Sequence, residues 1–184
     1  RAAATPKNGI LVLSEEETDF YFGFFENKRD EFNILKFVPA SGAATRMFKS
    51  LFTFLNEYKE SETSLHEFLE RRGGESLIHF FHNLKKLPFY EKVLKVIAEK
   101  FPEYENATED EQKFIFVKAM LAPEGLHLCE QPKGLVPFHK YENHLVTAFE
   151  NHLCEGTEYA NNGNKSNVHF TVLEEHKEGF QNCF

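Results

Sequence analysis

The sequence predicts an α/β fold that carries a large helical insertion. A short apolar run, Asn33–Val38, is rich in β-forming residues and leads through small residues into an amphipathic helix. A second strand candidate begins at Val168, where apolar and polar residues alternate. The long stretch Ser61–Ala122 between them has helical patterns and no strand signal. Because strand–helix–strand order implies a parallel pair with a right-handed crossover, we interpret this stretch as an insertion into an α/β core.

Composition limits the classes of protein to consider. The chain has 184 residues, enough for one domain with a sizeable core, and its 21 phenylalanines favour helices packed through Phe side chains. A net charge of -8 argues against a general nucleic-acid binder, which must neutralise phosphates. A small phosphorylated ligand stays open, because it needs only a local basic cluster.

The sequence also predicts a cytoplasmic protein without a membrane partner. No window approaches the roughly 20 apolar residues that cross a bilayer. The first ten residues lack the apolar stretch of a signal peptide. Three cysteines without a C-x-x-C pair are typical of reduced thiols.

Residues 1–60 are predicted to hold the first part of the core. Ser14 and Glu17 have the spacing of a capping box, so a helix is expected to begin there. Asn33–Val38 is expected to form a buried strand, and Ala43–Tyr58 the helix that follows it.

Residues 61–122, the predicted insertion, are expected to form up to four helices. The predicted caps and stops are Thr63 for the first helix, Gly73 and Gly74 at its end, and Thr108 with Glu111 for the last helix.

Residues 123–184 are predicted to continue the core. We expect a helix over Glu142–Cys154, the strand from Val168, and a final helix that begins near Glu175. Two strands make a poor α/β sheet, so we expect either that the core is incomplete at the C-terminal end of this chain or that the sequence pattern leaves some strands undetected.

The segment from Ser41 to Lys49 is the strongest candidate for chemistry. Small residues let backbone N–H groups approach a ligand closely, and a new helix would direct its positive end to the same place. Arg46 can form two hydrogen bonds with a phosphate, and Lys49 would share its helix face. The alternative is a plain tight turn with an exposed arginine and lysine, and spacing alone favours neither. The candidates for phosphate or nucleotide binding are Ser41, Gly42, Ala43, Ala44, Thr45 and Lys49.

The segment is neither a Walker A loop nor a dinucleotide fingerprint, because Gly42 is its only glycine. A second candidate is Lys133, which lies in a loop stiffened by Pro132 and Pro137. On its own, Lys133 is better explained as a solvated lysine in an ordinary loop. His139 is the histidine that we expect to share a pocket with Lys133.

Taken together, the two segments resemble known families. The run from Pro39 to Met47, PASGAATRM, followed by PKGL at Pro132–Leu135, resembles the signature of GT-A-like nucleotidyltransferases. In detail the chain is similar to a bacterial family of uncharacterised proteins, the domain of unknown function 4301, in FVPASGAATRMFK, PKGLVPFHKY and VHFTVLEEH. The resemblance covers most of the chain from Phe37 onward. It implies a Rossmann-like nucleotide-diphospho-sugar transferase core, partial in this chain.

The nucleotidyltransferase resemblance also implies roles for individual residues. The backbone from Gly42 to Thr45 would wrap the nucleotide phosphates, and Arg46 would stabilise the leaving pyrophosphate. Lys133 would hold the phosphate of the second substrate, a sugar phosphate. The implied catalytic residues are therefore Arg46 and Lys133, and the implied cofactor is Mg²⁺.

Three departures from that pattern leave the function open. The second glycine of the signature is Ala44 here, Lys133 follows Arg46 at a much longer interval, and no aspartate takes the metal-binding position. One hypothesis is an enzyme that transfers a nucleotidyl group to a sugar phosphate. The other is a non-catalytic binding or scaffold module derived from that fold. A third hypothesis makes the helical stretch a lid or a docking element.

Overall fold

The computed structural model describes residues 3–71 and 74–183. It mixes helices with small two-stranded sheets, consistent with the predicted α/β class. The chain divides into two compact units. The first comprises the described residues up to Phe37 and Leu153–His169; the second comprises Val38–His152 and the described residues from Phe170 onward. Within the described ranges, no helix has both the length and the apolar character needed to cross a membrane.

The first unit contains the predicted N-terminal helix. Short strands β1 (Thr5–Pro6) and β2 (Gly9–Ile10) pair with each other and precede α1 (Glu15–Lys28). The capping box is confirmed, because Ser14 Oγ accepts from the Glu17 amide and Glu17 accepts from the Ser14 amide. None of the residues of α1 is buried, although it carries several phenylalanines.

The predicted strand pair is present but less buried than expected. β3 (Leu35–Pro39) pairs with β6 (Asn167–Thr171). The Asn167 side-chain amide donates to the Ile34 carbonyl, and the Ala40 amide donates to the Thr171 carbonyl. Residue numbers therefore increase in the same direction along both strands, as in a parallel pair. The prediction of a buried strand was wrong except at Val38, because a two-stranded sheet lacks the neighbours that bury a central strand.

The second unit is built around the predicted helical stretch. The described residues between 61 and 122 form four α-helices, as expected, and their core is continuous with that of the preceding helix. The α-helices of the second unit as far as Ala122 are α2 (Lys49–Glu57), α3 (Leu65–Arg71), α4 (Glu75–His82), α5 (Tyr90–Lys100) and α6 (Glu109–Leu121). Whether this stretch is an insertion into a larger α/β core stays a prediction.

Helix α6 occupies the middle of this core. Most side chains of its last two turns are buried, including Phe116, Val117 and Met120, while Lys118 is partly exposed. Phe54 of α2 is also fully buried and packs among aromatic rings. The Phe-rich helical core predicted from composition is therefore confirmed.

Helix caps follow the sequence with one correction. Ser64, rather than Thr63, caps α3, because the Ser64 hydroxyl accepts from the Glu67 amide. The Gly74 amide donates to the Leu69 carbonyl at the end of α3, and Gly73 lies outside the described residues.

Thr108 is the second predicted capping box, and the structure confirms it. Its hydroxyl accepts from the Glu111 amide at 3.2 Å, while Glu111 accepts from the Thr108 amide at 2.7 Å. We expect Thr108→Ala to lower the free energy of unfolding by about 1 kcal/mol, since one helix donor loses its acceptor. Urea unfolding measures this, with Thr53→Ala, in the middle of α2, as a control that removes no cap. Equal losses in both variants would contradict the assignment.

The predicted helix Glu142–Cys154 begins later and ends later. β4 (His139–Lys140) pairs with β5 (Leu145–Val146), and α7 spans Ala148–Glu158. A capping box of Thr147 and Glu150 fixes the start of α7. The predicted last helix is confirmed as α8 (Lys177–Gln181).

Candidate functional site

The two candidate segments lie side by side in the second unit. The Lys133 amide donates to the Gly42 carbonyl at 2.9 Å, and the Ala44 amide donates to the Gln131 carbonyl at 3.2 Å. These bonds flank an antiparallel bridge between Ala43 and Pro132. Lys133 therefore returns to the small-residue segment, as the resemblance implies.

This pairing changes the expected helix start. Ala44–Arg46 forms a single 3-10 turn, and α2 begins only at Lys49 rather than at Ala43. The Ala44 amide is bonded across to the Gln131 carbonyl, and the Met47 amide donates to the Ala44 carbonyl, as in a 3-10 turn. Arg46 and Lys49 consequently do not share one α-helix, and the amides that α2 leaves unpaired come later than predicted.

A small pocket joins the two segments, and we call it the Gly42–Lys133 pocket. Its volume is about 180 Å³. Lys133 and His152 line it together with residues that are mostly apolar. The lining residues are Val38, Pro39, Ala40, Gly42, Lys133, Gly134, Ala148, Phe149, His152 and Phe170.

The missing side chain of Gly42 leaves open space in this pocket, although the backbone conformation there does not require glycine. A Cβ placed there would meet no atom within 4 Å, and its φ lies outside the left-handed region. Gly134 also lines the pocket, but a Cβ at Gly134 would lie only 3.0 Å from the Phe180 ring. Among the described residues, the amides of Ser41, Gly42 and Ala43 have no backbone acceptor. The segment therefore offers open space and backbone donors next to Lys133.

The floor of the pocket is held by aromatic packing. The Phe149 ring lies 4.5 Å from that of Phe170 and 5.0 Å from that of Phe180, between ring centres. Phe149 and Phe180 are buried. This packing fixes α7, and with it His152, against the Lys133 loop.

The family comparison agrees with the second resemblance. The family model described as domain of unknown function (DUF4301) matches residues 1–184. The chain belongs to the DUF4301 family. A search of curated proteins and a search of solved structures found no match. The family description assigns no activity, so the nucleotidyltransferase resemblance stays a prediction.

Other predicted residues of this DUF4301 chain lie outside the pocket lining. Ala44 is fully buried, so its side chain belongs to the core. Ser41, Thr45, Arg46 and Lys49 are exposed and do not line the pocket. The structure thus brings together Gly42 and Lys133, and places the predicted Arg46 beside this site rather than within it.

The histidine in the DUF4301 pocket is His152 and not His139. Helix α7 carries Ala148, Phe149 and His152 on the side that lines the pocket, as the i, i+4 spacing allows. His139 lies in β4, and its ring contacts the Asn151 amide instead. The helical spacing of His152 from Ala148 was the sequence signal for this residue.

The chain that follows α6 packs back against this helix and so positions the loop that carries Lys133. The Leu126 amide donates to the Ala119 carbonyl at 2.8 Å, which turns the chain back along α6. A Cβ at Gly125 would overlap that same carbonyl, so glycine is required there.

Buried Cys129 donates its thiol to the Leu121 carbonyl, and burial raises the pKa of that thiol. Both features argue against Cys129 as a nucleophile.

The lining does not fit a directly bound Mg²⁺. This ion prefers carboxylate, phosphate and water oxygens. No carboxylate lines the Gly42–Lys133 pocket. In residues 3–71 and 74–183, no group of three or more His, Cys, Asp or Glu is placed to hold a metal ion. We therefore derive no chemical step through a metal.

Proposed function

We propose that the Gly42–Lys133 pocket binds the phosphate group of a nucleotide or a sugar phosphate. The observation that carries this proposal is the pairing of Lys133 with Gly42 around an open, partly basic pocket. A phosphate gains charge-assisted hydrogen bonds from an ammonium group and from free amides. Because the chain has a net charge of -8, a local cation is needed to attract an anion at all.

Size supports one phosphate group at this place. A volume of about 180 Å³ is below the roughly 300–1,000 Å³ of pockets that enclose a drug-sized ligand. The remainder of the ligand would extend over the exposed side of the segment, where Thr45, Arg46 and Lys49 lie. That arrangement would let Arg46 contact further phosphates of a bound nucleotide.

The reaction we propose is nucleotidyl transfer to a sugar phosphate. The sugar phosphate oxygen would attack the α-phosphorus of the nucleotide in line, and the bond to the leaving pyrophosphate would break. Lys133 would hold the attacking phosphate and reduce its charge, so its contribution is positioning and electrostatic. Mg²⁺, if required, would reach the site with the nucleotide phosphates.

A non-catalytic binding module is the second proposal. The observations that support it are the lack of a carboxylate in the lining of this pocket and the burial of Ala44. Pyrophosphate release by the protein, with a nucleoside triphosphate, a sugar 1-phosphate and Mg²⁺, would support the enzyme. Ligand binding without release would support the module.

Calorimetry with a hexose 1-phosphate tests the binding itself, with the free hexose as the neutral comparison. Saturable heat for the phosphate ester alone would support the proposal. No heat from the ester, from inorganic phosphate or from a nucleoside triphosphate, with or without Mg²⁺, would overturn it.

Gly42→Val tests whether the open space at Gly42 belongs to the ligand. We expect the affinity for the hexose 1-phosphate to fall about tenfold, since overfilling a fitted site costs roughly 1–3 kcal/mol. The free energy of unfolding should change little, because a side chain at Gly42 meets open space. Gly23→Val is the matched control, since a Cβ there also meets nothing within 4 Å but lies in α1. Unchanged affinity in Gly42→Val would place the ligand elsewhere.

A further inference from the structure

A second pocket lies in the helical stretch, and we call it the Tyr58 pocket. It opens between the end of α2, the start of the 3-10 segment Pro102–Asn106, and α6, all in the second unit. Its volume is about 660 Å³, within the range of pockets that enclose a small organic molecule. Three aromatic rings line it, those of Tyr58, Phe101 and Phe114.

The Tyr58 hydroxyl is the unusual feature of this pocket. Tyr58 is only 5% exposed, and within the described residues its buried oxygen has no hydrogen-bond partner. Its ring packs on Phe54 at 5.1 Å and on Phe68 at 5.5 Å, between ring centres. A phenylalanine would fill that position without leaving a polar atom unpaired, which is costly in a protein interior. A bound molecule would supply the missing partner.

The charges around the pocket favour a cation. Three carboxylates line it, those of Glu60, Glu103 and Glu111. Glu60 and Glu111 accept hydrogen bonds from neutral groups of Thr108. Neither of these two contacts brings a positive charge to the carboxylates.

The two lysines of the lining are paired with carboxylates outside it. Lys59 bonds to Glu62 at 2.9 Å, and Lys118 lies 3.4 Å from Glu124. The Lys118 ammonium also lies 5.5 Å from the centre of the Phe101 ring, so that ring already faces a cation. Three carboxylates thus face two lysines in the lining, and both lysines already have a carboxylate partner outside it.

Burial and the carboxylates of Asp110, Glu60 and Glu111 raise the pKa of Tyr58 to about 12. The hydroxyl thus stays protonated at neutral pH. Its oxygen can therefore accept a hydrogen bond from a bound ammonium.

We propose that the Tyr58 pocket is a second ligand site, which binds an organic ammonium with an apolar ring. The ring packs between Phe101 and Phe114, and the ammonium lies among the carboxylates within reach of the Tyr58 hydroxyl. The proposal is independent of the phosphate pocket, since the two sites share no lining residue and select opposite charges.

The test uses tryptamine and indole-3-acetate, which share one ring and carry opposite charges. The chain has no tryptophan, so the fluorescence anisotropy of either probe reports its binding directly. We expect saturable binding of tryptamine, and at least about tenfold weaker binding of indole-3-acetate, as expected when a like charge replaces an opposite one.

Tyr58→Phe removes only the hydroxyl, so it separates a ligand contact from a packing role. We expect tryptamine affinity to fall about 3- to 10-fold, the value of one hydrogen bond, while the urea midpoint stays equal or rises. Tyr141→Phe is the control, because Tyr141 is exposed and bonds to Asn151 outside the pocket. Glu103→Gln should also weaken tryptamine, since it removes one negative charge from the lining.

Three results would overturn the proposal. These are no tryptamine binding up to millimolar concentration, equal binding of the two probes, and undiminished tryptamine affinity in both Tyr58→Phe and Glu103→Gln. None of them bears on the phosphate pocket, which the hexose 1-phosphate titration tests separately.

Discussion

Replacing Phe54 by alanine is expected to lower the free energy of unfolding by about 3–5 kcal/mol. Phe54 is fully buried, and its ring packs against four others at 5.1–6.0 Å between centres. The partner rings belong to Tyr58, Phe68, Phe81 and Phe114. They are held by α3, α4, α6 and the end of α2, so a cavity at Phe54 removes contacts from every side. Urea or thermal unfolding measures the loss.

Phe20→Ala is the matched control for this prediction. Phe20 lies in α1 and is 64% exposed, so its loss should change the free energy of unfolding by less than about 0.5 kcal/mol. Similar losses in the two variants would contradict a core centred on α2 and α6. A folded Phe54→Ala protein with a loss below about 1 kcal/mol would contradict it as well.

Lys133→Ala is expected to weaken hexose 1-phosphate binding about 10- to 100-fold. A hydrogen bond to a charged group contributes roughly 1.5–3 kcal/mol, and Lys133 is the one cation that lines the Gly42–Lys133 pocket among the described residues. Its bond to Gly42 uses the backbone amide, which the variant keeps. The fold should therefore persist, and calorimetry should show the loss in affinity alone.

Lys140→Ala is the control for charge. Lys140 is exposed in β4 and does not line the pocket, so this variant changes the net charge of the chain by the same amount. We expect it to keep most of the affinity, because exposed charges at a distance are screened by salt. Equal weakening in both variants would mean that Lys133 acts only through the overall charge.

Arg46→Ala tests whether the exposed part of the segment contacts further phosphates. We expect this variant to lose an intermediate amount of affinity for a nucleotide.

Local sequence signals predicted the helices well. The capping boxes at Ser14 and Thr108 depend on residues three apart, and the structure shows both. The equivalent box at Thr147 was missed, because apolar residues from Leu145 onward already fitted a helical period. Leu145 instead pairs in a two-residue strand, an interaction that periodicity cannot reveal.

Long-range pairing decided the parts that sequence reasoning missed. The bond from Ala44 to Gln131 precedes the 3-10 turn that stands before α2, and no feature near Ala44 in sequence indicates this bond. The return of Lys133 to Gly42 followed from a resemblance rather than from spacing. His152 lines the pocket one helical turn after Ala148 in α7, whereas closeness to Lys133 in the sequence indicates His139 instead.

The most direct test of the phosphate pocket is an amide NMR titration of the chain with a hexose 1-phosphate. Our account predicts saturable shifts at the amides of Ser41, Gly42, Ala43 and Lys133, with none around Tyr58. Shifts confined to other surfaces, or the same shifts in Lys133→Ala at equal affinity, would contradict it.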